Sequence, residues 1–202
     1  MFQKHFFSHF QPEDLMCETS KSKNIKIVDF SLSKKLDPKV PVKVDLSHPE
    51  FAAPEITRSE PVGFYTDMWA IGVLTYMLLS GLSPFAGSTP EETIDKIARG
   101  HYTFDHDAFD GISANGKDFI SKLLQKQPNQ RMTIYEALKH PWLNEAITDD
   151  QRRRIPASRY KEYRKEAGPR FIKWPSNQLV VEGQNAQFNC RVVALSEPIV
   201  TW

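Results

Sequence analysis

The chain has 202 residues, of which 40% are apolar and 25% charged, an ordinary globular composition with enough apolar material for a core. A formal net charge of +1 gives no global case for nucleic-acid or membrane binding. Cys17 and Cys190 lie far apart and lack metal-ligand spacing, so they read as free thiols in a reducing cytosol.

Near the N-terminus, residues 12–31 alternate loosely and read as two short strands around a polar connection at 18–24. Residues 32–62 carry Pro38, Pro41, Pro49, Pro54 and Pro61 with little periodicity, which predicts a long ordered loop. Helix signals follow one another from there. Thr66 is expected to cap an apolar helix beginning at Asp67. Thr89-Pro90-Glu91-Glu92 is a capping box with proline at the first helical position, opening a helix to about Arg99. Phe119, Ile120, Leu123 and Leu124 make one helical stripe, and Thr133-Ile134-Tyr135-Glu136 opens a helix stopped by His140-Pro141. The uncharged run at 68–85 is broken by Gly72, Gly81 and Pro84, so it reads as a buried helix rather than a membrane span.

Residues 149–168 hold seven Lys or Arg against four acids. From Pro169 the chain turns strand-like, at 171–174, 179–181 and 186–192.

Three motifs carry the functional signal: Asp29-Phe30-Ser31, then Pro49-Glu50-Phe51-Ala52-Ala53-Pro54-Glu55, then Asp67-Met68-Trp69-Ala70-Ile71-Gly72. Further on come Leu78-Leu79-Ser80-Gly81, Ser83-Pro84-Phe85, Arg131 and Ala137-Leu138-Lys139-His140-Pro141-Trp142. In order and spacing these resemble the C-terminal lobe of calcium/calmodulin-type serine/threonine protein kinases, most of all the giant muscle kinases related to titin, twitchin and obscurin. The resemblance covers about residues 12–143. It implies a mainly α fold: two short strands, a long activation-type loop and helices.

Phosphoryl transfer is mostly positioning and charge neutralisation, so each family part has a definite job. The resemblance assigns Asp29 and Asp14 to the two magnesium-binding positions and packs Phe30 into the core beneath. Ser31 replaces a glycine. His9 falls where the catalytic aspartate belongs and Gln11 where the phosphate-contacting lysine belongs, with Phe7 and Ser8 replacing the preceding His-Arg. Ser47 and His48 replace the usual Gly-Thr. The structural motifs are kept: Glu55 is expected to pair with Arg131, Asp67 to hold the catalytic-loop backbone, and Trp69 to sit in the central helix.

Only residues 1–28 precede Asp29, and they contain no glycine-rich loop, strand lysine or helix glutamate. The chain therefore reads as half an enzyme, catalytically incompetent alone and limited to binding or scaffolding, with no cofactor of its own; ATP and magnesium belong to the intact family. The alternative is a truncated piece of an active ATP-dependent sarcomeric kinase. Residues 1–11 fit no kinase pattern, and phenylalanine-rich coding followed by glutamine resembles an intron end, so a divergent or mis-assigned start is expected.

Residues 144–168 stand where relatives carry a regulatory tail. A basic segment with Ile155, Tyr160 and Tyr163 suits a substrate groove or calmodulin, at 149–168; a solvated linker helix is the plainer reading. Residues 169–202 resemble the first half of an intermediate-set immunoglobulin domain, an incomplete β-sandwich with Cys190 and Trp202 in the core positions. The implied partners are proteins, sarcomeric ones included, with no nucleic acid and no membrane. The implied location is cytoplasmic and sarcomere-associated.

Overall fold

The structure, a computed structural model, describes residues 5–7, 12–17, 24–28, 30, 33–37, 39–44, 46, 49–145, 170–173 and 191–193. His9, Gln11, Asp29, Ser31, Ser47 and His48 lie outside the described residues. So do residues 146–168 and most of the expected immunoglobulin module. The chain divides into two units, Met1–Arg154 and Ile155–Trp202.

The first unit opens with two antiparallel ladders where two strands were expected. Strands β2 (Leu15–Cys17) and β3 (Ile25–Ile27) form the expected hairpin, with Leu15 opposite Ile27 and Cys17 opposite Ile25. Val28 N–H extends it by donating to Asp14 O over 2.9 Å. A second ladder pairs β1 (His5–Phe7) with β4 (Ser33–Lys35), so the N-terminal segment is built into the same unit. The predicted long loop has local order. A turn closes between Asp37 and Val40, a 3-10 turn runs Pro49–Phe51, and α1 spans Pro54–Thr57.

Helix α2 (Phe64–Ser80) is the axis of the unit, with Met68, Trp69, Ala70, Val73, Leu74, Tyr76 and Met77 all buried. It starts three residues before the expected Asp67. Gly63 stands at the N-cap, and Thr66 lies inside the first turn, its Oγ1 accepting from Gly63 N–H at 3.1 Å. A threonine in the first turn can satisfy a free N–H from within as well as from the cap, so Thr66 as a cap signal points one turn past the true start. Gly81 closes the helix in the left-handed conformation at φ 74°.

Helix α3 (Pro90–Arg99) starts on Thr89, whose hydroxyl accepts from Glu92 N–H, and buries only Thr93 and Ile97. Helix α4 (Ala114–Leu123) turns its Phe119-Ile120-Leu123 stripe inward. Met68, Phe119, Leu123, Met132 and Ala137 form one core cluster, with Ile71 and Trp142 against it. Helices α2 and α4 cross very closely at Gly72: a Cβ there would come within 2.8 Å of Leu124 Cδ2 and 2.9 Å of Leu123 Cβ. Helix α5 (Ile134–Lys139) has the full reciprocal capping box between Thr133 and Glu136, and α6 (Pro141–Asn144) follows directly.

In the second unit the described residues form one antiparallel pair, β5 (Arg170–Lys173) with β6 (Arg191–Val193).

Candidate functional site

The chemistry of this chain gathers around Arg131. The residue follows a 3-10 turn at Pro128–Gln130, which aims its side chain back under α1 and α2. Its Nη1 donates to Glu55 Oε1 at 3.0 Å and its Nη2 to Glu55 Oε2 at 3.2 Å, a bidentate fork between two fully buried side chains. Nη1 also donates to Tyr65 O at 2.6 Å, and Nε donates to Gln125 O at 3.1 Å. The guanidinium carbon sits 5.1 Å from the ring centroid of Trp69. Trp69 in turn stacks on Phe85, with centroids 5.2 Å apart and planes 12° from parallel.

One cation therefore joins the end of the activation-type loop, the start of α2 and the turn after α4. Burial pushes the Tyr65 phenol up, and the nearby Glu55 carboxylate adds to the shift. Tyr65 Oη donates to Pro61 O at 3.0 Å, which ties the loop between α1 and α2 to the same hub.

Of the two residues expected at the metal positions, Asp14 stands just before β2, and Asp29 lies outside the described residues. Asp14 is 6% exposed at the end of the 3-10 turn Pro12–Asp14, and its backbone oxygen holds Val28, the residue before Asp29. Asp67 enters from the first turn of α2 with a buried carboxylate oxygen. Among the described residues no three His, Cys, Asp or Glu side chains gather to hold a metal ion. Asp29 lies outside the described residues, so no chemistry of this chain is derived through magnesium.

Phe30 corrects an expectation. Its side chain is 57% exposed rather than packed in the core. The hairpin beside it is likewise open, with Ile25 62%, Ile27 40% and Val28 43% exposed.

Two features go beyond the sequence reading. Tyr65 and Gln125 join the hub through backbone oxygens, which any residue type supplies. His140, only 4% exposed, is a joint between three helices: its Nδ1 accepts from Trp142 N–H at 3.2 Å, leaving Nε2–H to donate to Asp118 Oδ2 at 3.0 Å. Lys122 first, then His140, holds the Asp118 carboxyl below its usual range.

A helical lobe organised on a buried Glu–Arg fork, with an activation-type loop leading into it, defines the class. The protein kinase domain model matches residues 4–143, and the chain belongs to the protein kinase family. Within it the chain is homologous to the myosin light chain, twitchin and titin kinases. It is 46% identical over 146 residues to myosin light chain kinase 3 of Rattus norvegicus, a match taking 71% of this chain and 19% of that protein. It is 44% identical over 133 residues to the titin homolog of Caenorhabditis elegans, covering 66% of this chain and 1% of that protein. The solved C. elegans twitchin kinase fragment, titled as autoregulated protein kinase and immunoglobulin domains, superposes with a TM-score of 0.74 at 40% identity. That match covers 96% of this chain and 53% of the other. The chain thus spans under a fifth of the first of these relatives.

Proposed function

We propose that this chain acts as a binding scaffold built on the large lobe of a muscle-type kinase, and that it does not transfer phosphate alone. One observation carries the reading: the buried Glu55–Arg131 fork and its Trp69 and Tyr65 contacts are complete. By the resemblance, His9 and Gln11 stand where the family carries its base and its phosphate-contacting lysine. Neither imidazole nor amide at those positions restores both a carboxylate base and a fixed positive charge. Each such part is worth about 10²–10⁴ in rate, so losing both leaves little catalysis to measure.

The exposed Ile25, Ile27, Val28 and Phe30 mark the face a nucleotide-binding lobe would cover. The domain plan we propose has a divergent start at 1–11, within which the kinase family match begins at residue 4, then the kinase-like lobe at 12–143, a basic linker at 144–168 and a partial immunoglobulin module at 169–202. The twitchin fragment, which carries both domain types in its title, supports that order. Partners are proteins of the sarcomere, with calmodulin a candidate at 149–168. No described helix is long and apolar enough to cross a membrane.

A second reading has its own support. Asp14 keeps a buried oxygen donor at a metal position, and the matched relatives are kinases many times longer than this match. On that reading the chain is a piece of an active ATP-dependent serine/threonine kinase. Isothermal titration of magnesium-ATP into the 202-residue chain separates the two. No heat of binding is expected from the scaffold; saturable binding lost in Asp29→Ala supports the second reading.

A further inference from the structure

The loop after β4 folds back on itself in a way that sorts its side chains. Val40 N–H donates to Asp37 O at 3.0 Å, closing the turn, and the return strand is pinned where Val62 N–H donates to Val42 O at 3.0 Å. Leu36, Val42 and Val44 pack inward on Ala52, Ile56 and Val62. With the apolar positions committed to that cluster, the lysines between them are left on the outside: Lys34, Lys35, Lys39 and Lys43 are all exposed. Lys34 Nζ donates to Lys43 O at 3.3 Å, so one lysine side chain of the first arm lies against the backbone of the second.

Among the described residues none of these four lysines has a carboxylate partner. Asp37, the acid within the turn, uses its Oδ1 to accept Lys39 N–H. On the helices, by contrast, Lys96, Arg99 and Lys122 each face a carboxylate one turn away, and Arg58 beside this loop is held by Glu60. The cationic strip is therefore narrow and bounded. A bilayer or a nucleic acid draws on a broad field, which a chain of net charge +1 does not present.

We infer that Lys34, Lys39 and Lys43, with Lys35 at the flank, form the docking strip for an acidic segment of a partner protein. Exposure alternates along 41–44, with Pro41 and Lys43 outward, and Val40 at the turn, 58% exposed, offers one apolar contact between the charges. An extended acidic peptide with an apolar residue in its middle matches that spacing. The inference rests on the binding role proposed above and names its partner class. Catalysis is measured separately, so a failure of the one does not pass for a failure of the other.

The test titrates the full chain into a fluorescein-labelled polyglutamate peptide and follows anisotropy. Saturable binding is expected that weakens about tenfold or more between about 50 mM and about 300 mM salt. Combined Lys34→Glu, Lys39→Glu and Lys43→Glu should weaken it about tenfold or more, while Lys117→Glu, Lys126→Glu and Lys139→Glu together change it less than about twofold. Circular dichroism checks that each variant is folded; Lys39→Glu alone, at the turn, serves if the triple variant is not, and should weaken binding at least about twofold. Equal losses from both sets, no saturable binding, or tighter binding to phosphatidylserine vesicles or single-stranded DNA than to the peptide would overturn the proposal.

Discussion

Replacing Arg131 by methionine isolates the contribution of the buried fork. The substitution keeps most of the side-chain volume and deletes four donated hydrogen bonds, two of them to Glu55. Glu55, 1% exposed, then holds a buried charge without its cation. Breaking such a pair from one side costs about 3–5 kcal/mol, against a total domain stability of about 5–15 kcal/mol. In a unit of this size each kcal/mol moves the melting temperature about 2–4 °C, so Arg131→Met should lower it by about 6–20 °C. Adding Glu55→Gln removes the stranded charge and should recover about half of the loss. Urea denaturation followed by tryptophan fluorescence reads this well, because Trp69 lies against the guanidinium. A loss under about 1 kcal/mol, or a double variant no more stable than Arg131→Met, would refute the assignment of the fork as a one-sided buried charge.

Gly72→Val should destabilise by about 1–3 kcal/mol or more through overpacking against Leu123 and Leu124, seen as a lower thermal midpoint. At His140, asparagine can still accept from Trp142 N–H, whereas glutamine can still reach toward Asp118. Chemical denaturation should show Asn and Gln each losing about 1 kcal/mol, with α6 fraying, measured as faster amide exchange at Trp142, only in His140→Gln. Burial first, then Tyr102, pushes the Tyr76 phenol up to about 12, and its hydroxyl donates to Thr103 O at 2.8 Å. The folded state holds that proton longer than the unfolded chain, whose tyrosines ionise near about 10. Stability is therefore whole below about pH 10 and is lost as pH rises toward 12; Tyr76→Phe should flatten that slope in denaturation midpoints taken from pH 9 upward.

The helices were legible because their signals are local. Thr133 with Glu136, Pro90 after Thr89, and the Phe119 stripe each lie within one or two turns, and each stands in the structure as read. The β1–β4 ladder was not legible, since its strands, His5–Phe7 and Ser33–Lys35, lie far apart in the sequence and their pairing is set by the surrounding fold. Thr66 misled by one turn because its hydroxyl works equally well inside the first turn. At the site, family spacing pointed to Glu55 and Arg131, which the structure brings together. It could not indicate the carbonyls of Tyr65 and Gln125, which leave no mark on residue type. Phe30 failed for a different reason: a motif names the residue, while its burial depends on what lies over it.

The central claim, a kinase-family lobe that binds but does not transfer phosphate alone, is tested most directly by incubating the chain with radiolabelled ATP, magnesium and a generic basic peptide, beside Asp29→Ala. The account predicts no incorporation above the Asp29→Ala background. Phosphate transfer that disappears in Asp29→Ala would contradict it.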